Sequence, residues 1–177
     1  MNPNGRPNSD VVRKWYNARV ITEGWSDSWI VDFGVDMDVD DASLYEAPFE
    51  HIKGHVLPVR ELNNRASYRT RWWLHAEARP ALRKALIGKP RFLVTPIVSK
   101  HRLFQWLPSD SVPDQKLIAF ARDDDYFFGV LQSRAHEVWS LRMGSRHGVG
   151  NDPVYTPTTC FETYPLPWAR DWRTPKK

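Results

Sequence analysis

The sequence predicts an α+β fold: a twisted, mostly antiparallel sheet with several packed helices in a single domain. Three observations carry this expectation. Arg91 to Val98 and Leu103 to Leu107 are apolar runs of strand length separated only by a short polar turn, as in an antiparallel pair. Lys116 to Ala121 is a third run of the same kind. Beyond it, Phe127, Val130, Leu131, Arg134, Ala135, Val138, Trp139 and Arg142 recur at helical spacing, giving one apolar face with arginines beside it. With 177 residues the chain has room for one domain with a real core.

Taken in order, the chain opens irregularly, and Val11, Val12 and Trp15 then supply a docking patch. Trp29-Ile30-Val31-Asp32-Phe33 reads as a strand closed by Gly34. Asp38, Asp40 and Asp41 offer capping oxygens and negative charge at a helix start, and that helix turns Leu44, Tyr45, Phe49, Ile52 and Val56 inward. Pro48 should kink or restart it, because proline lacks an amide hydrogen and crowds the preceding turn. Arg79-Pro80 leads into a short helix through Leu82, Leu86 and Ile87, stopped by Gly88 and Pro90.

Ser99-Lys100-His101-Arg102 is then a cationic turn between two strands. Asp123, Asp124 and Asp125 cap a helix from Asp124 to Met143, about five turns long, expected to pack Phe127, Leu131, Val138 and Trp139 on the sheet. Gly144 stands where a left-handed C-terminal cap belongs. Ser145 to Asn151 reads as a flexible cationic loop delivered from the end of a rigid helix, and an extended segment follows to Pro167.

Charge is unevenly spread. The formal net charge is +4, but residues 61 to 122 carry 12 Lys and Arg against four Asp and Glu. A basic block with interleaved aromatics suits a polyanion such as DNA, and a solvated face is the alternative. Within it, Arg69, Arg71, Trp72 and Trp73 read as core indoles flanked by surface arginines, with a cation–π cluster or a nucleic-acid stacking surface as the other options. No apolar run approaches the ~18 residues that span a bilayer, and the polar N-terminus is unlike a signal peptide. Cys160, the one cysteine, excludes an internal disulfide and a cysteine-based zinc cluster, and suits a reducing cytoplasm.

Catalytic chemistry finds little support. His51 and His55 have one-turn spacing but no third ligand nearby, so no metal site is expected. Asp152-Pro153-Val154-Tyr155 approximates the Asp/Asn-Pro-Pro-aromatic motif of amino-methyltransferases, but Val154 replaces the second proline. No glycine-rich cofactor turn precedes residue 148, and a tight turn is the expected reading. Pro113-Asp114 lacks the downstream acid and lysine of a metal-dependent nuclease. What remains is binding. Lys100, His101, Arg102, Arg122, Arg142, Arg146 and His147 lie at the ends of expected elements, where donors reach phosphates or base edges.

Several blocks carry a family resemblance. They are Phe120-Ala121-Arg122-Asp123-Asp124-Asp125-Tyr126-Phe127-Phe128-Gly129-Val130-Leu131, Gly148-Val149-Gly150-Asn151-Asp152-Pro153, Tyr155-Thr156-Pro157-Thr158-Thr159 and Phe161-Glu162-Thr163-Tyr164-Pro165. The opening Asn2 to Val12, Trp72-Trp73-Leu74-His75 and Val98 to Arg102 join them. Together they resemble the C-terminal target-recognition domain of bacterial adenine-N6 DNA methyltransferases of the MmeI-like, type IIL restriction-modification family.

The resemblance implies that residues 1–168 form a DNA target-recognition domain and residues 169–177 a flexible tail. It implies double-stranded DNA and an N-terminal methyltransferase domain of the same polypeptide as partners, no membrane, no cofactor in this fragment, and S-adenosylmethionine for the parent enzyme. In that family, specificity residues alternate along the segment before the Tyr-Thr pair, at positions matching Gly150, Asp152 and Val154. Members tend to carry longer charged side chains there, so Asp152 is the credible base reader of the three, as acceptor from an exocyclic amine, with Asn151 and Arg146 next. A protein-docking domain of the same enzyme and a remnant methyltransferase are the alternatives.

Overall fold

The computed structural model describes residues 2, 4, 6–24, 27–149 and 152–167. In chain order they form β1 (Val12–Tyr16), α1 (Ala18–Glu23), β2 (Trp29–Val31), α2 (Val39–Ser43), α3 (Glu46–His55), α4 (Leu57–Glu61), α5 (Ala66–Thr70), α6 (Pro80–Leu86), β3 (Arg91–Pro96), β4 (Gln105–Pro108), β5 (Val112–Pro113), β6 (Leu117–Phe120), α7 (Asp125–Leu131), α8 (Arg134–Met143), β7 (Ser145–His147) and β8 (Asp152–Val154). The expected α+β class holds, and every described strand pair is antiparallel except β1 with β5. The pairing is divided among three small sheets, ordered β2-β1-β5, β4-β3-β6 and β7-β8.

By contacts the chain forms two compact units. The first takes in Met1–Tyr16, Trp25–Gly88 and Ser109–Pro113. Its core gathers Val11, Phe33, Ala42, Tyr45, Phe49, Ile52 and Leu74, with Trp72 and Trp73 packed at the margin. The two indoles thus sit beside a core, with Trp73 Nε1 donating to Met37 O over 2.8 Å. Asp38 caps α2 through the Asp40 amide, and the expected long helix stops at Leu44 and restarts at Glu46 with Pro48 in its first turn, where a missing amide hydrogen costs nothing.

The second unit comprises Asn17–Gly24, Lys89–Pro108 and Asp114–Lys177. β3 is its central strand, and Phe92, Leu93, Val94 and Thr95 are all fully buried. It pairs with β4 from Arg91↔Pro108 to Val94↔Gln105 and with β6 from Leu93↔Phe120 to Pro96↔Leu117. Leu93, Phe104, Phe120, Phe127, Leu131, Tyr155 and Cys160 form the core against it.

The helix expected from Asp124 to Met143 is two helices. Asp124 caps α7 as expected, its carboxylate accepting from the Phe127 amide at 2.8 Å. Ser133 then caps α8 by accepting from the His136 amide at 3.3 Å, which lets the chain turn between Leu131 and Arg134. The turn rotates the second helix's faces: His136 and Ser140 become buried, while Val138 is 52% exposed instead of packing on the sheet. Gly144 is not a left-handed cap, since its φ is −83°. Its role is close approach, because a Cβ there would stand 2.4 Å from Val154 O and 2.7 Å from Ser140 O. The stretch after Tyr155 is a π-helical turn over Pro157–Phe161, with the Glu162 amide donating to Pro157 O at 2.9 Å, in place of the expected extended segment. The tail from Trp168 on lies outside the described residues.

Candidate nucleic-acid interface

Three segments of the second unit are joined at one end of the β4-β3-β6 sheet. Just beyond β3, the Ile97 amide donates to Lys116 O at 2.9 Å, and Ile97 O accepts from the Tyr155 amide at 2.7 Å. Val98 bridges Val154, and the Ser99 amide donates to Pro153 O at 3.3 Å. The cationic turn after β3 is thereby laid beside the β7–β8 hairpin. The segment expected as a flexible loop is in part this hairpin, in register from Ser145↔Val154 to His147↔Asp152.

Lys100 and His101 are exposed on the turn, Arg146 and His147 are exposed on β7, and Arg142 is exposed in the last turn of α8, which feeds that strand. Asp152 is half-buried on β8, opposite His147. The structure therefore brings Lys100, His101, Arg142, Arg146, His147 and Asp152 into one region. Asn151 and Gly150 lie outside the described residues. Lys116 is an exposed cation at the same end that sequence reasoning passed over. Its signal was the strand register: a lysine opening a strand antiparallel to β3 must lie by the turn that ends β3.

Two expected members are placed elsewhere. Arg102 is only 7% exposed, so it does not stand out toward a phosphate as its place on a cationic turn suggested. Its Nη1 donates to Thr95 Oγ1 at 3.0 Å and to Pro96 O, Nη2 reaches Pro153 O at 3.5 Å, and the guanidinium lies over the Tyr155 ring, 4.9 Å from its centroid. Burial lowers its pKa from the ordinary value, and carbonyl oxygens and a π face supply its compensation. Arg122 follows the far end of β6, next to Arg91, and β3 separates it from the turn by about 17 Å of strand. There its Nε donates to Asp124 Oδ2 at 2.8 Å and it stacks over Phe127.

Beneath this region lies a buried polar pair. Tyr155, 1% exposed, and His136, fully buried, meet at 3.1 Å between the Tyr155 hydroxyl and His136 Nε2. Burial, opposed by the hydrogen bond with Leu131 O and aided by the charge of Arg102, holds His136 below its ordinary pKa. Burial likewise pushes the Tyr155 hydroxyl well above its usual value. Two members of the Asp152 to Tyr155 tetrapeptide, Pro153 and Tyr155, are thus used up by the fold. Pro153 O accepts from Ser99 and Arg102, and the Tyr155 ring is enclosed. These residues do not fit the grip on a target amine that methyl transfer from S-adenosylmethionine requires.

Among the described residues no three His, Cys, Asp or Glu side chains stand together as a metal site, and no helix is long and apolar enough to cross a membrane. No family model matches the chain, and no curated protein matches it. Among solved structures, the fold is similar to that of the type IIL restriction-modification enzyme MmeI in complex with DNA. The TM-score is 0.65 at 12% sequence identity, over 89% of this chain. The chain spans about a fifth of that enzyme, covering 20% of its length. At this identity the likeness is one of fold.

Proposed function

We propose that this chain is the DNA target-recognition domain of a restriction-modification type adenine-N6 DNA methyltransferase. The observation that carries the reading is the fold shared, over most of the chain, with an enzyme solved in complex with DNA. The convergence of Lys100, His101, Lys116, Arg142, Arg146 and His147 at one end of the second unit supports it, since clustered cations at element ends meet phosphates and base edges. In this reading the duplex is the partner, and methyl transfer and S-adenosylmethionine binding belong to a methyltransferase domain outside this chain, in the cytoplasm.

Within the interface, Asp152 is the base reader. A carboxylate near phosphates is unfavourable unless an exocyclic amine donates to it, and both cytosine and adenine present one in the major groove. Asp152→Asn or Asp152→Arg in the intact parent should change the preferred base at one position of the methylation site, by about 1 to 3 kcal/mol of discrimination. Methylation profiling over a randomised DNA pool tests this. Variants that keep the recognition sequence and merely lose activity would make Asp152 structural.

A further inference from the structure

The first unit holds a cavity of about 190 Å³ lined by Arg60, Ser67, Tyr68, Arg71, Leu74 and His75, among others. Nothing in the reading of the second unit uses it. Its charge balance is one-sided. No Asp or Glu is among its lining residues, Glu77 is paired with Arg79 at 2.6 Å, and Asp32, 3.9 Å from His75 Nε2, is already taken: Arg83 Nη1 and Nη2 donate to its two oxygens at 2.8 and 2.9 Å, and the Gly34 amide donates to Oδ1 at 3.1 Å. Burial works to raise the Asp32 pKa, but the Arg83 hydrogen bonds and charge outweigh it and leave the carboxyl below its ordinary value. That pair is satisfied within itself.

Arg60 and Arg71 have no such partner. Among the described residues neither is in an ion pair, and the same holds for Arg65 and Arg69 on the neighbouring turns. Arg60 and Arg65 lie over the Tyr68 ring at 5.1 and 5.5 Å, which fixes the ring and the guanidinium stems together. Arg71 Nη2 donates to Val35 O at 2.9 Å, which fixes that side chain and leaves most of its donors free. His75 contributes no full charge at neutral pH: burial lowers its pKa, against the pull of Asp32. Two positioned guanidiniums thus share a small cavity with the Ser67 side chain and no anion among the described residues.

We propose that this cavity binds a phosphate group. Like charges converge at a cost that a bound anion relieves, and guanidinium forks match phosphate oxygens in pairs. A phosphate has enough acceptor oxygens for both forks and the Ser67 hydroxyl at once, whereas a carboxylate has only two oxygens. The volume, roughly that of six waters, takes the group with part of what it is attached to. The phosphate is either a backbone phosphodiester of DNA or part of a free phosphate-bearing molecule, and the chemistry of the cavity is common to both.

The test is thermal-shift and calorimetric titration of the full chain with inorganic phosphate, against chloride at matched ionic strength. Saturable phosphate-specific binding is expected, weakened about tenfold or more by Arg60→Gln and further by Arg60→Gln with Arg71→Gln. Arg71→Gln also loses the bond to Val35, so Arg60→Gln alone, with an unchanged near-ultraviolet dichroism spectrum, is the deciding variant. Absent phosphate binding, or binding that Arg60→Gln leaves intact, overturns the inference. Duplex DNA as competitor separates the sources. Displacement of phosphate, with a salt slope lowered by about one in Arg60→Gln, identifies a backbone phosphodiester, and duplex binding without displacement identifies a free phosphate compound. The phosphate titration involves no residue of the second unit's interface, so its failure leaves the DNA reading standing.

Discussion

His136 Nε2 accepts the hydrogen bond of the Tyr155 hydroxyl across 3.1 Å, because the other ring nitrogen faces a group that can only accept. Nδ1 lies 2.9 Å from Leu131 O, so it carries the proton and the neutral tautomer is fixed. One bond thereby ties α8 to the chain that leaves β8.

Tyr155→Phe removes the donor and leaves Nε2 buried without a partner. The expected loss of unfolding free energy is about 1 to 3 kcal/mol, the cost of an orphaned buried polar atom. Urea denaturation measures it. A loss below about 0.3 kcal/mol would mean that the pair does not hold in solution.

The same pair sets a pH dependence. Since the folded-state pKa of His136 is lowered, the fold favours the neutral ring. The unfolded chain takes up a proton near pH ~6.5 while the folded one does not. The contribution is therefore complete above about pH 6.5 and is lost as pH falls from there through the folded-state pKa. Denaturation midpoints from pH ~7 to ~5 should decline more steeply in the wild type than in His136→Gln.

Gly144→Ala should destabilise despite alanine's higher helix propensity and an ordinary backbone φ of −83°. The added methyl would meet Val154 O and Ser140 O, both backbone atoms that cannot swing aside. A cost of about 1 to 3 kcal/mol is expected, read from the shift in melting temperature.

Two hydrophobic truncations distinguish the broken helix from a continuous one. Leu131→Ala should cost about 2 to 5 kcal/mol, as Leu131 is 1% exposed. Val138→Ala should stay within about 0.5 kcal/mol, as Val138 is 52% exposed. Comparable losses at both positions would restore the single long helix.

For the interface, Lys100→Ala and Lys116→Ala should each weaken duplex binding to all sequences and lower the salt slope by about one. Arg102→Ala should act on stability first, because it empties a buried guanidinium site. Fluorescence anisotropy over a salt series, with urea melts of each variant, separates the two effects.

Local chemistry was the legible part of the sequence. Asp38, Asp124 and Pro48 act through neighbours within one turn, and the β3–β4 pair follows from two apolar runs and a polar link. Effects decided at long range were not legible. Arg102 reads as a surface cation until Pro153, 51 residues away, is found to accept from it. The β7–β8 hairpin hides because its first strand, Ser145–His147, is polar and exposed throughout, with no alternation to betray it. The Ser133 cap was visible in principle, since Ser followed by an acid, here Glu137 one position late, is a helix-start pattern; the unbroken apolar spacing concealed it.

The hairpin is held at its base and exposed along β7. Val154 and Tyr155 are fixed by bonds to the segment after β3, while His147 and Val149 are exposed and lie outside the apolar core. Substitutions at those two positions should then shift folding energy by no more than about 0.5 kcal/mol. Selection can vary them almost independently of the scaffold, so descendants of this chain could diverge in what they contact while inheriting the same stem unchanged.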